Sequence, residues 1–443
     1  MYYNHNKLFE PKGIKNARAL VFFFWTLMIF EGMVRKWIFP SLSTHLQVTR
    51  DFLPCIALFV YFANEPSKNT LKKIMPSGVI LLILMLYVVT AFIATVNSAQ
   101  YSVAIPLLGL RTHFAYFPLA ILTPLLLSNL EVVENFFLKL AVMSVPAGFL
   151  AIYQSTQPSS SWINIYGTGE EAMAMFGEQL LVRATGTFSY ITGMGYYAQF
   201  SALSCFYLLI TTRNKQVRNF SAFAMAVAIM AGFSTGSRAV IYGMILQFFL
   251  MIILCPRIIL ILLKIVRINI IVIGILFVVM AYFGQSQITA FFERASTVSD
   301  DTGWRLADGL LEWIDILEQY PFGRGIGTGH QQASTFIGGE GGFDSQLPES
   351  ELSRVAMELG VIGFVAFLLF RFGILFYSLK IISSLNKNFE KKILGAFAFS
   401  YFIILFVGGV FSPIANAIFW FSIGLIIMIK TTRISNPNFF SVR

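Results

Sequence analysis

The chain has 443 residues, of which 56% are hydrophobic and 12% charged, and its mean hydropathy is +0.71. Soluble domains carry about 25% charged residues, so this composition excludes a string of water-soluble domains. The net charge of +10 reads as a topology signal and does not imply nucleic-acid binding.

A membrane-spanning helix needs about 20 mostly apolar residues. On that measure the sequence predicts spans near 17–34, 46–63, 76–96, 113–127, 136–153, 190–212, 219–233, 239–256, 268–284, 354–377, 393–410 and 413–430. The expected fold is an all-α polytopic bundle of about 12 helices. Nine form an N-terminal bundle over 1–283, a long loop with short helices spans 284–353, and three helices and a short tail occupy 354–443. The first apolar stretch runs into Glu31 and Arg35 without a small-residue cleavage site, so it reads as a retained span. Cys55, Cys205 and Cys255 form no C-x-x-C pair, and His5, His45, His113 and His330 are scattered, so the sequence suggests neither a metal site nor a disulfide framework.

An even number of spans puts both termini on one side. With the termini and every second loop assigned to the cytoplasm, that side holds 22 of the 32 basic residues, 14 Lys and 8 Arg, with Arg371 among them. This is the positive-inside bias. The other ten are Arg35, Lys36, Arg50, Arg111, Arg183, Arg238, Arg294, Arg305, Arg324 and Arg354, all Arg but one. Arg grips phosphate bidentately, whereas Lys is a point charge. An outward set so rich in Arg points to an anionic, phosphorylated ligand. The plainer reading is that these side chains reach lipid headgroups or pair with acids.

Five segments could carry chemistry. Glu31 to Trp37, with Arg50 and Asp51, reads best as ion pairs between the first spans. Arg183-Ala184-Thr185-Gly186-Thr187-Phe188 precedes the sixth span. Thr235-Gly236-Ser237-Arg238 opens a helix, where free amides favour an anion and Thr235 or Ser237 can cap. Pro321 to His330 alternates glycines that let main-chain amides approach a ligand, with His330 as base or hydrogen-bond donor. Pro348 to Gly360 places Glu349, Glu351 and Arg354 at a helix start and Glu358 at membrane depth, where a carboxylate is a functional candidate. An amphipathic helix is expected near 304–318, with Leu306, Leu310, Trp313, Ile314 and Leu317 on one face.

In this order the RATGTF, TGSRA, W-R-L-A-x-G-L, P-F-G-R-G-I-G-T and E-L-G-V-I-G-F segments resemble the O-antigen ligase and O-antigen (exopolysaccharide) polymerase family, over roughly 183–370. The resemblance implies inverting, metal-independent and cofactor-free transfer of a glycan from undecaprenyl diphosphate to a glycan acceptor. It places the reaction on the periplasmic side of the bacterial inner membrane, with a chain-length regulator protein as a possible partner. Arg238, with Arg305, Arg324, Arg183 and Arg354, would hold the diphosphate beside the helix start at Thr235, Gly236 and Ser237. Ligases of the family place His-Asn where this chain has Glu349-Ser350. Glu349 can still accept a proton, with His330 as the other candidate base. The change argues against lipid A-core ligase chemistry and favours a polymerase. A flippase is the rival reading, although no repeated halves are visible. A polymerase of the shape–elongation–division class is a third.

Overall fold

The computed structural model describes residues 12–64, 74, 76–99, 102–165, 173–176, 179–263, 311–333, 347–348, 350–385, 388–406 and 408–431. Within them the chain is helical apart from one short hairpin. The helices are α1 (Lys12–Met33), α2 (Ser43–Asn64), α3 (Gly78–Ala99), α4 (Ala104–Phe114), α5 (Pro118–Leu126), α6 (Leu130–Ser155), α7 (Ile191–Thr211), α8 (Lys215–Ser234), α9 (Arg238–Leu254) and α10 (Arg257–Leu263), then α11 (311–319), α12 (Glu351–Ser384), α13 (Phe389–Ile404) and α14 (Pro413–Thr431). Each predicted span falls on helix except 268–284, which lies outside the described residues. Among the described residues eight helical segments are long and apolar enough to cross a membrane, or nine if α9 and α10, bent by 111°, count as one. The chain is a multi-pass membrane protein.

Apolar periodicity explains which face each helix buries. In α3, Val79, Leu82, Leu86, Val89, Ile93 and Val96 are exposed at helical spacing, whereas Ile80, Leu84, Tyr87, Ala91 and Ala94 are buried. A helix with one apolar face toward lipid and another toward protein shows little amphipathicity, because lipid is as apolar as the core. α14 is buried from Ile414 to Ile429 and runs through the middle of the bundle. Helices that are apolar all round take such positions. Around it Trp25 stacks on Phe200 with centroids 5.3 Å apart and meets the edge of Phe421, and Phe137 packs on Phe397 at 5.1 Å. Polar side chains mark several helix starts. Asn129, Asn214 and Asn388 accept from amides of the following turn, at 2.9 Å (Val132), 2.9 Å (Gln216) and 3.1 Å (Lys391).

The all-α reading holds for the bundle, with one addition and two corrections. The addition is a hairpin: Met173–Phe176 pairs antiparallel with Gln179–Val182. These two apolar quartets are too short for a helix, and a Gly-x pair separates them in the sequence, which is a hairpin signal. Arg371 is not an inward-side residue. It is buried within the bundle, donates to Leu405 O at 2.6 Å and lies 3.8 Å from the Phe419 ring centre. The amphipathic helix is described only from 311, and its predicted face is split. Trp313 packs on Phe364 of α12 at 5.2 Å and Leu317 joins the core, whereas Ile314 is exposed.

Candidate anion site at one end of the bundle

The end of α1, the starts of α2, α7, α9, α12 and α14, and the glycine segment all meet at one end of the bundle. Gly32 of α1 packs against the backbone of 187–189 so tightly that an added Cβ would lie 2.6 Å from three main-chain atoms. Ala184 N donates to Ser234 O at 2.9 Å, and Arg183 Nε donates to Thr235 O at 3.3 Å. The Arg183–Phe188 segment and the Thr235–Arg238 turn, far apart in sequence, are therefore joined. Lys36 completes this corner from a π-helical turn over Val34–Ile38, donating to Thr185 Oγ1 at 2.8 Å and Gly186 O at 3.4 Å. Gln154 fixes the same loop by accepting from Gly186 N at 2.7 Å.

Neither predicted cap closes the start of α9. Thr235 donates its hydroxyl back to Gly232 O at 2.7 Å, and Ser237 makes no side-chain cap bond. No side chain caps the first turn of α9, and a helix start of this kind beside an Arg suits an anion. Arg183 and Arg238 are half-buried.

A second group of cations is neutralised internally, as the ion-pair reading of the first spans expects. Glu31 accepts from Arg35 at 2.8 Å and from Arg50 at 2.6 Å. Asp51 accepts from Arg50 at 2.8 Å, from Arg111 at 2.5 Å and from the Tyr116 hydroxyl. Three guanidinium groups share two buried carboxylates, which leaves the cluster one positive charge in excess. Arg111 is the most exposed of the three, with 28% of its side chain accessible against 16% for Arg35.

The glycine segment does not cradle a ligand. Gly323, Gly325 and Gly327 all have positive φ, and the segment threads between α3, α4 and α12. A side chain at Gly109 of α4 would collide with Gly327 N and Ile326, and one at Gly327 with Ile105 O, so neither glycine has room for one. Its amides bond to protein: Arg324 N to Met357 O at 2.7 Å, Gly325 N to Glu358 O at 3.1 Å and Ile326 N to Ala94 O at 3.2 Å. The glycines answer close packing of main chain on main chain, which the sequence pattern cannot distinguish from a phosphate loop.

His330 leaves this segment half-buried. Its Nδ1 accepts from Gln332 N at 3.1 Å, so the neutral ring carries its proton on Nε2 and offers a donor there. Burial, then the Arg111 and Arg354 charges, pushes His330 from 6.5 down to about 4. Between pH 5 and 8 the ring is uncharged. If transfer depends on its proton, the pH profile should break near 4 with no inflection near 6.5, and His330→Gln should remove that acid break. The same shift sets the sign for stability. The unfolded chain binds the proton below about 6.5 and the folded chain only near 4. The stabilisation from the neutral ring is therefore complete above pH 6.5 and is lost as pH falls toward 4.

Arg354 donates to Pro348 O at 2.7 Å and lies over Phe411 at 5.9 Å; it makes no pair with Glu351. Glu351 instead accepts from Val410 N at 2.8 Å and Phe411 N at 3.3 Å. Arg324 lies over Tyr320 at 5.1 Å. Ser350, standing where the ligase pattern has Asn, caps α12 by accepting from Ser353 N at 3.0 Å. Glu349, Arg294 and Arg305 lie outside the described residues. Sequence reasoning did not place Lys36 in the site. The signal was available, because Lys36 is the single Lys among the ten outward basic residues.

Residues 220–368 match the family model described as O-Antigen ligase. Over this segment the chain is similar to the O-antigen ligase family. The matched segment begins in α8 and ends in α12, so it contains the Thr235–Arg238 turn, the glycine segment and Glu358, but not Arg183 or Lys36. No curated protein matches the chain.

Proposed function

We propose that the protein polymerises undecaprenyl-diphosphate-linked oligosaccharide units on the periplasmic side of the bacterial inner membrane, with both termini in the cytoplasm. The observation that carries this reading is the junction of Arg183, Arg238, Lys36 and the uncapped start of α9, within and beside the O-antigen ligase segment. When the glycosidic bond to the carrier breaks, charge builds on the diphosphate. Preplaced guanidinium groups and amide donors stabilise that charge more than the ground state, which lowers the barrier. The energy is already stored in the sugar–phosphate bond, so no cofactor or nucleotide enters. The lipid tail of the donor accounts for a site at the end of a membrane bundle. Arg324, Arg354 and Arg305 are proposed to contact the same ligand or the acceptor glycan. Glu349 is the proposed base that takes the acceptor hydroxyl proton, because His330 presents a donor.

The family description, a ligase, favours a second reading in which a finished polymer passes to another acceptor. Deleting the protein separates them. Single repeat units left on the carrier at the outer leaflet are expected. Long unattached polymer would indicate a ligase, and units stranded on the inner leaflet would indicate a flippase.

A further inference from the structure

Glu358 is fully buried, yet it holds the glycine segment at two points. Its main-chain oxygen accepts from Gly325 N at 3.1 Å, and its Oε1 accepts from Gly329 N at 2.9 Å. The first contact exists because α12 is interrupted at Gly360, whose φ is 64° and ψ −172°. In an unbroken helix Val361 N would donate to Met357 O. Here it donates to Pro321 O at 2.9 Å, which leaves the Met357 and Glu358 oxygens open to Arg324 N and Gly325 N.

The second contact depends on how the carboxylate is turned. His113 Nε2 lies 2.7 Å from Glu358 Oε2, and its Nδ1 lies 2.6 Å from the Tyr87 hydroxyl. One assignment satisfies every group with a neutral ring: Tyr87 donates to Nδ1, and Nε2–H and Gly329 N–H both donate to the carboxylate. Three helices, α3, α4 and α12, thereby fix a single acceptor.

We propose that Glu358 is a positioning residue that clamps residues 325–329 at both ends, with His113 and Tyr87 setting the direction of its carboxylate. Arg324 precedes the first anchor and His330 follows the second. The clamp determines where both side chains stand. What they do there rests on the transfer reading; the clamp itself does not.

Hydrogen–deuterium exchange on the full-length protein in lipid nanodiscs, with turnover of the lipid-linked donor measured alongside, tests this. Losing the Gly329 acceptor in Glu358→Ala should speed exchange of the 325–330 amides by about tenfold or more, with α7 unchanged. Glu358→Gln retains an acceptor for Gly329, and His113 can switch tautomer to meet the new amide. Its exchange should stay within about threefold of wild type. In turnover, kcat should fall in Glu358→Ala with little change in KM, and Glu358→Gln should restore most of it. If Glu358→Ala does not accumulate, His113→Phe should give the same local loosening in weaker form. Unchanged exchange at 325–330, or an equal rise throughout α7, would overturn the clamp. Faster exchange at 325–330 with normal turnover would leave the clamp standing and remove Arg324 and His330 from the reaction.

Discussion

Arg238→Ala is expected to lower polymer output roughly 100-fold or more, the range seen when one preplaced donor to a developing negative charge is removed. Protein level should not change. Arg238 occupies the first position of α9, the end of a helix where the dipole disfavours a cation. The dipole alone does not explain a cation there, and a role toward an anion does. Arg238→Lys should also be poor, about tenfold down or worse, because an ammonium cannot reproduce a planar two-point grip. Chain-length analysis of the surface polysaccharide, read beside an immunoblot of membranes, checks both. Normal chain lengths in Arg238→Ala would take the residue out of the site.

Gly360→Ala should fail in a different way, by removing the protein from the membrane. At φ 64° and ψ −172° Gly360 occupies a backbone region that is essentially glycine-only. An added Cβ would also lie 2.5 Å from Gly323 N, Phe322 C and Pro321 O. Relieving that contact means pushing the glycine segment off α12 and losing the Arg324, Gly325 and Val361 hydrogen bonds together. The cost is on the order of 3 kcal/mol or more. Membrane levels should fall several-fold, the Tm in detergent should drop, and polymer should decline in step with protein. Gly78→Ala, at a position with open space around it, is the matched control and should be silent. Full accumulation of Gly360→Ala at wild-type Tm would contradict the packing described.

Most of the helices were legible because hydropathy reports burial in lipid directly. The limits were those of a signal with one dimension. α7 and α14 read as spans like the others, although they are enclosed by protein; nothing in apolar content separates a lipid neighbour from a Phe neighbour. Arg371 was assigned by loop counting, which cannot see a guanidinium held over an aromatic ring inside the bundle. At the site, the Arg183 and Thr235–Arg238 segments stood out by composition, but their union did not. It depends on contacts such as Ala184 to Ser234, made across two helices. Tyr87 and His113 carried no signal at all. A lone His in an apolar stretch takes its meaning from Glu358, 245 residues further along the chain.

The shared carboxylates of Glu31 and Asp51 have a consequence for biogenesis. A charged side chain costs up to about 2.5–3.5 kcal/mol in an inserting helix, most at its centre and less toward its ends. α1 and α2 carry Glu31, Arg35, Arg50 and Asp51, yet the last partner of this group, Arg111, emerges only with α4. The first spans therefore reach their final charge pairing only after α4 has been made.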